Sequence, residues 1–154
     1  MQNGDKMILK TIDELDLFLE ELKNRKASTT GNWTLAQILC HIGDSIEFFL
    51  SQNEGAIQVP SFIQNTVGKL LLNKFFLFGK MDKGLTNPIK KGEPKDGDLS
   101  LELDRVIILS KKFKNHTGSF NKHPVFGALS KEELIKLHLL HCSNHFSYIQ
   151  FSGD

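Results

Sequence analysis

Three histidines stand close together near the end of the chain, and imidazole is a common ligand of transition metals. His138, His141 and His145 are spaced so that all three share one face of a helix. A single buried histidine is usually a satisfied core residue. Three buried histidines together have several donors and acceptors that need hydrogen-bond partners. Each donor or acceptor left unpaired costs about 1–3 kcal/mol of folding stability. A divalent cation takes one lone pair from each ring, so the spacing indicates either metal binding or an unusual polar core.

A further ligand must come from another helix, and His41 is the candidate. It lies in the second predicted helix at about 110° from the centre of the apolar arc, so periodicity alone favours a surface histidine. If this margin of the arc turns inward, His41 becomes a ligand, and Asp44 becomes a fourth ligand or an acceptor beside it. His116 at a predicted helix end and His123 in a turn are weaker candidates. His123 is the stronger of these two, because its turn leads into the last helix.

Hydrophobic periodicity predicts five helices and no strand. Thr11 with Glu14, and Ser130 with Glu133, form capping boxes that begin the first and the last helix. The predicted helices span about residues 11–25, 34–52, 62–80, 100–115 and 130–151. Because the chain shows no repeat and no linker, residues 1–154 are expected to form one domain, an all-α antiparallel helical bundle.

The third predicted helix carries Lys69 and Lys74 within an otherwise apolar run. A helix that lies on a membrane surface combines cations with an apolar body in this way. Because the lysines are few, a well-buried helix of the bundle is the favoured interpretation. The glycine- and proline-rich segment from Met81 to Leu99 is expected to be a lid or a surface connection.

The composition excludes several classes of protein. The 154 residues are 40% hydrophobic and 24% charged, which is not the composition of a disordered chain. With 19 basic and 18 acidic residues, the chain lacks the basic excess of a nucleic-acid-binding protein. No apolar run is long enough for a membrane span, and the first residues do not resemble a signal peptide. A cytoplasmic protein is expected, with Cys40 and Cys142 reduced and packed as small apolar side chains.

Five segments match one known superfamily in the expected order along the chain. They are Gly31–His41, Ser45–Glu47, Thr66–Gly68, His123–Leu129 and His138–His145. In these segments the sequence resembles the DinB/YfiT-like superfamily, in its branch of uncharacterised bacterial domains. The resemblance implies a four-helix bundle with an additional short helix or long loop. It also implies a divalent metal bound by three histidines, one from the second helix and two from the last, namely His41, His141 and His145.

The resemblance also implies what surrounds the metal ligands. It suggests that His138, although on the same helix face, lies beside the ligands and not among them. Asp44 and His123 are further candidates for a place beside the ligands, from their positions in the sequence and not from the resemblance. The segment Asn87–Pro94 departs from the proline and glycine pattern that such relatives often show, so no substrate contact is carried over to it.

Characterised members of the superfamily are metal-dependent thiol transferases that use glutathione, bacillithiol or mycothiol, or an isomerase of a thiol adduct. The resemblance therefore implies a thiol S-transferase that acts on small electrophilic molecules. A zinc, nickel or iron ion would raise the thiolate fraction of a low-molecular-weight thiol. A metal-dependent hydrolase that activates water is one alternative. A metal-stabilised stress-response or interaction bundle without turnover is an alternative from another class.

Two further expectations concern pH and assembly. Because imidazole binds metals only when neutral, an accessible site of three histidines is expected to release its metal below about pH 6. Leu140 is expected on the outside of the last helix, where it would contribute to a homodimer contact.

Overall fold

The computed structural model describes residues 7–51, 59–82 and 95–153. These residues are mostly helical, which confirms the all-α prediction, apart from one small two-stranded sheet. In chain order the elements are α1 (Ile12–Asn24), β1 (Ala27–Thr29), α2 (Leu35–Leu50), α3 (Ser61–Ile63), a π-helical turn (Gln64–Gly68), α4 (Lys69–Phe78), α5 (Leu99–Asn115), α6 (Lys131–Phe146) and β2 (Ile149–Phe151). Within the described ranges, no helix has the length and apolar character that a membrane crossing requires.

Side-chain caps fix the points where the first and the last helix begin. Ser130 and Glu133 form the predicted capping box of α6. At α1, the hydroxyl of Thr11 accepts a hydrogen bond from the N–H of Glu14, as predicted. The Glu14 carboxylate, however, accepts from the N–H of Lys10 and not from that of Thr11, so this cap differs from the predicted box.

The end of the chain differs from the sequence prediction. The last helix was expected to continue to residue 151, but α6 ends at Phe146 and β2 follows it. β2 pairs with β1 in antiparallel register, with Ala27 opposite Phe151 and Thr29 opposite Ile149. The prediction of no strand is therefore wrong. Each strand has three residues, which is too short to show alternation, and the pairing joins distant parts of the chain.

Four helices share the main hydrophobic core. α1 and α2 each pack against both α5 and α6. The buried members of this core recur at helical spacing on each helix, as the sequence predicted. They include Leu15, Leu19, Ile42, Ile46, Val106, Phe113, Leu134 and Phe146.

A second, smaller core joins α4 to α6. It contains Leu72, Phe75, Phe126, Leu137 and Leu140. Leu140 is 6% exposed and packs within its own chain, so the expected outward position on a homodimer surface is wrong. The cause is that α4 covers a side of α6 that the periodicity of α6 alone leaves unassigned.

The third predicted helix is present, but its burial differs from the prediction. α3, the π-helical turn and α4 follow one another without a break and end at Gly79, whose φ of 60° is left-handed. Gly68, Leu72 and Phe75 are its buried residues, and its other large apolar side chains are exposed or half-buried. The expectation of a well-buried bundle helix is therefore wrong, because only one stripe of the helix contacts the rest of the chain.

Most of the segment that was expected to be a lid or a surface connection, residues 81–99, lies outside the described residues, including residues 87–94. Its described end leads into α5, where the Asp98 side chain accepts a hydrogen bond from the N–H of Leu101 and caps the helix.

Candidate metal centre

Three histidine side chains from two helices converge at one point. His41 lies in the middle of α2, and His141 and His145 lie one turn apart on α6. Nε2 of His141 is 2.9 Å from Nε2 of His41 and 3.1 Å from Nε2 of His145. The three ligand atoms lie within 4.8 Å of one another, and this is the one such group found in the described part of the chain. These are the three residues that the resemblance implied.

The position of His41 is decided by tertiary packing. The N-terminal end of α2 is fixed by a capping box between Thr34 and Gln37. The sequence analysis did not predict this capping box. His41 lies two turns further on and is 4% exposed, so the surface position that periodicity favours is wrong. α6 covers this margin of α2 and brings His141 and His145 against it.

Nε2 of His141 has two close nitrogen neighbours, and hydrogen bonds cannot pair it with both. A neutral imidazole offers one donor N–H and one acceptor lone pair, so Nε2 of His141 can fully pair with only one of its two close neighbours. A cation removes this conflict, because it takes one lone pair from each of the three rings. His41 is buried while His141 and His145 are partly exposed, so the cluster can be reached from solvent.

Two of the three separations between the nitrogen atoms, those that involve His141, fit a coordinated ion. A bond from zinc to a histidine nitrogen is about 2.0–2.1 Å, which places two ligands of a tetrahedral site about 3.3 Å apart. In an octahedral site, adjacent ligands at this bond length lie about 3.0 Å apart. The observed 2.9 and 3.1 Å are close to both values. Three protein ligands leave at least one position open, which is typical of catalytic sites.

Burial lowers the pKa of two of the three clustered histidines, His141 and His145. Removal from water lowers the pKa of His141 well below its usual value, and the neighbouring His145 and His41 lower it further. Burial, followed by the effect of His41, lowers the pKa of His145 to about 4. At neutral pH both rings therefore present a lone pair, which is the form that binds a metal.

Trp33 forms an aromatic wall beside the cluster. Its ring stacks on His145 with centroids 5.1 Å apart and meets the ring of His41 edge-on at 5.2 Å. The carbonyl of Trp33 accepts a hydrogen bond from the hydroxyl of Thr29 in β1. The ring of Tyr148, which precedes β2, lies against Gly31. The two-stranded sheet thus holds Trp33, which in turn packs against the imidazoles of His41 and His145.

His138 is near the cluster but does not join it. Its Nε2 lies 3.5 Å from Sγ of Cys142, its ring packs against Phe113, and its buried Nδ1 has no hydrogen-bond partner. Burial lowers the pKa of His138 to about 4. Cys142 and Cys40 are both buried, and burial raises the pKa of both thiols, so both are placed for packing and not for nucleophilic chemistry.

Asp44 is held by α5 and is not part of the histidine group. Its carboxylate accepts a hydrogen bond of 2.6 Å from Arg105, which also binds Glu47 and Glu102. Although burial opposes the charge, these hydrogen bonds raise the pKa of Arg105 above its usual value. The sequence interpretation of Asp44 as a fourth ligand is therefore not supported. Gly43 permits this arrangement, because a Cβ there would lie 3.0 Å from the guanidinium.

We expect Asp44→Asn to lower the free energy of unfolding by about 1–2 kcal/mol, because a charge-assisted hydrogen bond in a part-buried position is lost. The metal content should not change. Glu47→Gln is the matched control, since Glu47 binds the same guanidinium but is 54% exposed, and its loss should cost at most about 1 kcal/mol. Urea unfolding and elemental analysis of both variants test this. Loss of metal from Asp44→Asn would restore Asp44 to the ligand set.

The other two candidate histidines lie outside the cluster. The ring of His123 stacks on Phe126 and Phe49, and its Nδ1 accepts hydrogen bonds from the N–H groups of Val125 and Phe126. Burial lowers the pKa of His123 to about 3. His116 caps the C-terminal end of α5, and its Nε2 lies 3.2 Å from the carbonyl oxygen of Ser119.

Residues 4–151 match a family described as "Protein of unknown function (DUF1569)". The chain belongs to this family. The match spans nearly all of the sequence and includes the three clustered histidines. No curated protein and no solved structure matches the chain. Since the DUF1569 description assigns no activity, the function must be inferred from the chemistry of the site.

Proposed function

We propose that this member of the DUF1569 family is a metal-dependent enzyme of the DinB/YfiT type, a thiol S-transferase that acts on small electrophilic molecules. In this proposal α1, α2, α5 and α6 form the antiparallel four-helix bundle of that superfamily. The observation that carries the proposal is the convergence of three Nε2 atoms, from His41, His141 and His145, within 4.8 Å. The family resemblance adds the reaction class.

The surroundings of the three histidines favour a thiol as the activated group. His41, His141 and His145 would hold the divalent cation, and such an ion would lower the pKa of a bound thiol and so raise the thiolate fraction at neutral pH. Imidazole ligands carry no negative charge, so a site loaded with a divalent cation would attract an anionic ligand. Trp33 covers one side of the rings. Asp44 is bound to Arg105 and is not free to act as a base for water, which disfavours a hydrolase.

A thiol titration of the cobalt-loaded chain tests this proposal. Addition of glutathione or another low-molecular-weight thiol should produce a sulfur-to-cobalt charge-transfer band. The thiolate should then form a carbon–sulfur bond to an activated aryl halide and displace halide, with the thiol proton released to solvent. A matched variant, His145→Ala, should show neither signal. A hydroxamate that binds in the absence of any thiol would instead favour the hydrolase. A chain that binds neither ligand but loses stability on chelation would be a metal-stabilised bundle without turnover.

We expect the metal-loaded chain to keep its ion at about pH 5.5 and to release it as the pH approaches about 4. Protons compete with the ion for Nε2, and burial lowers the pKa of His141 and His145, so the competition begins below the usual pKa of a histidine. This lies below the release at about pH 6 that the usual pKa of histidine predicts. Dialysis across this range followed by elemental analysis measures it. Half-release at pH 6 or above would contradict the role of burial.

A further inference from the structure

One helix surface carries most of the exposed apolar side chains of the described residues. Six of the eleven exposed large apolar residues lie on the 18 residues that form α3, the π-helical turn and α4. Their exposed fractions range from 39% to 79%. We call this set the α3–α4 face, and its members are Phe62, Ile63, Val67, Leu70, Leu77 and Phe78. Such a concentration of exposed apolar residues marks an interaction surface.

The opposite side of this helix is fixed to the rest of the chain, so the α3–α4 face cannot turn inward. Leu72 and Phe75 pack into the second core against α6. The side chain of Gln64 donates a hydrogen bond of 3.0 Å to the carbonyl of Pro124. Gly68 lies so close to Val125 that a Cβ would be 2.4 Å from its carbonyl oxygen. The face is therefore presented to the exterior in a defined orientation.

The charged residues within the segment that carries the α3–α4 face have one sign. From residue 59 to residue 81 the chain contains Lys69, Lys74 and Lys80 and no aspartate or glutamate. All three lysines are exposed, and Lys74 pairs with Asp82 just beyond the helix. An apolar helix face flanked by cations is complementary to an anionic lipid surface, where the apolar side chains enter the headgroup region and the cations contact the headgroups.

A second copy of the chain is a poorer partner for this face. A two-fold contact places the same surface of both copies together, so the lysines beside the face in one copy would lie near those of the other. Residues 59–81 contain no aspartate or glutamate that could pair with them across the contact.

We propose that the α3–α4 face binds the chain peripherally to an anionic membrane surface. The binding is shallow, because the helix remains attached to α6 through Leu72 and Phe75. It depends on salt, because lysines supply part of the attraction. It is independent of the histidine cluster, since none of the six residues of the face belongs to that group.

Co-sedimentation of the full-length, metal-loaded chain with lipid vesicles tests this proposal. We expect binding to vesicles of equal parts phosphatidylglycerol and phosphatidylcholine, weak binding to phosphatidylcholine alone, and release at high salt. Leu70→Gln combined with Leu77→Gln should weaken the binding about tenfold or more, and Lys69→Gln combined with Lys80→Gln should also weaken it. Leu101→Gln on α5 is the matched control, because Leu101 is 70% exposed but lies outside the face, and it should bind as the wild type does.

Three results would overturn the membrane proposal. The first is an absence of binding to the anionic vesicles. The second is equal binding by the wild type and by the Leu70/Leu77 variant. The third is a wild-type chain that forms a dimer in sedimentation velocity and does not bind vesicles, together with a Leu70/Leu77 variant that is a monomer. That result would assign the face to a second copy of the chain. Circular dichroism and metal content of each variant separate a lost surface contact from a lost fold.

Discussion

The variant His141→Ala is expected to contain no stoichiometric metal after purification, whereas the wild-type chain is expected to contain one ion. His141 is the central histidine of the cluster, since its Nε2 lies 2.9 Å from that of His41 and 3.1 Å from that of His145. Its removal leaves two ligands on different helices. The affinity should fall by at least about 100-fold, which is more than the loss expected for a residue that only supports a ligand. Elemental analysis and competition with a chelator measure both quantities.

His138→Leu is the matched control for this experiment, because His138 is a buried histidine of the same helix that does not join the cluster. We expect this variant to keep its metal. Its free energy of unfolding should be unchanged or higher, because leucine removes a buried Nδ1 that has no hydrogen-bond partner. Full metal occupancy in His141→Ala, or loss of metal from His138→Leu, would contradict the assignment of the ligands.

Gly68→Ala is expected to destabilise the chain by about 2 kcal/mol or more, although replacing glycine by alanine within a helix normally stabilises it by about 0.5–1 kcal/mol. The sign is reversed because the added Cβ would lie 2.4 Å from the carbonyl oxygen of Val125. That atom belongs to the backbone, and the turn that carries it is closed by two hydrogen bonds between His123 and Gly127. The turn therefore cannot move aside at low cost.

Urea unfolding measures this effect, and Gly153→Ala serves as the control, because nothing lies within 4 Å of a Cβ at that position. We expect the control to behave as the wild type does. A Gly68→Ala variant of unchanged or increased stability would show that the helix and the turn at residues 123–127 are not held together as the structure describes.

Much of the fold can be predicted from local sequence signals. The apolar spacing of α1, α2 and α5 places those helices within a few residues of their observed bounds. Ser130 and Glu133 mark the start of α6 because a capping box is a local pattern. The proximity of His141 and His145 also follows from helix geometry alone, since residues four apart lie on one face.

The remaining features depend on contacts between distant segments. Periodicity places His41 at the margin of α2, and only packing against α6 and Trp33 buries it. β1 and β2 are too short to show alternation and pair across almost the whole chain. The partner of Asp44 is Arg105, 61 residues away. None of these contacts leaves a pattern in the local sequence. The resemblance to a known superfamily did, however, group His41 with His141 and His145.

The most direct test of the central claim is the anomalous difference density of crystals of the cobalt- or zinc-loaded chain. We predict one strong peak between α2 and α6, about 2.0–2.2 Å from Nε2 of His41, His141 and His145. A loaded crystal with no peak at that position, or with its main peak bound by other side chains, would contradict the proposed metal centre and the activity inferred from it.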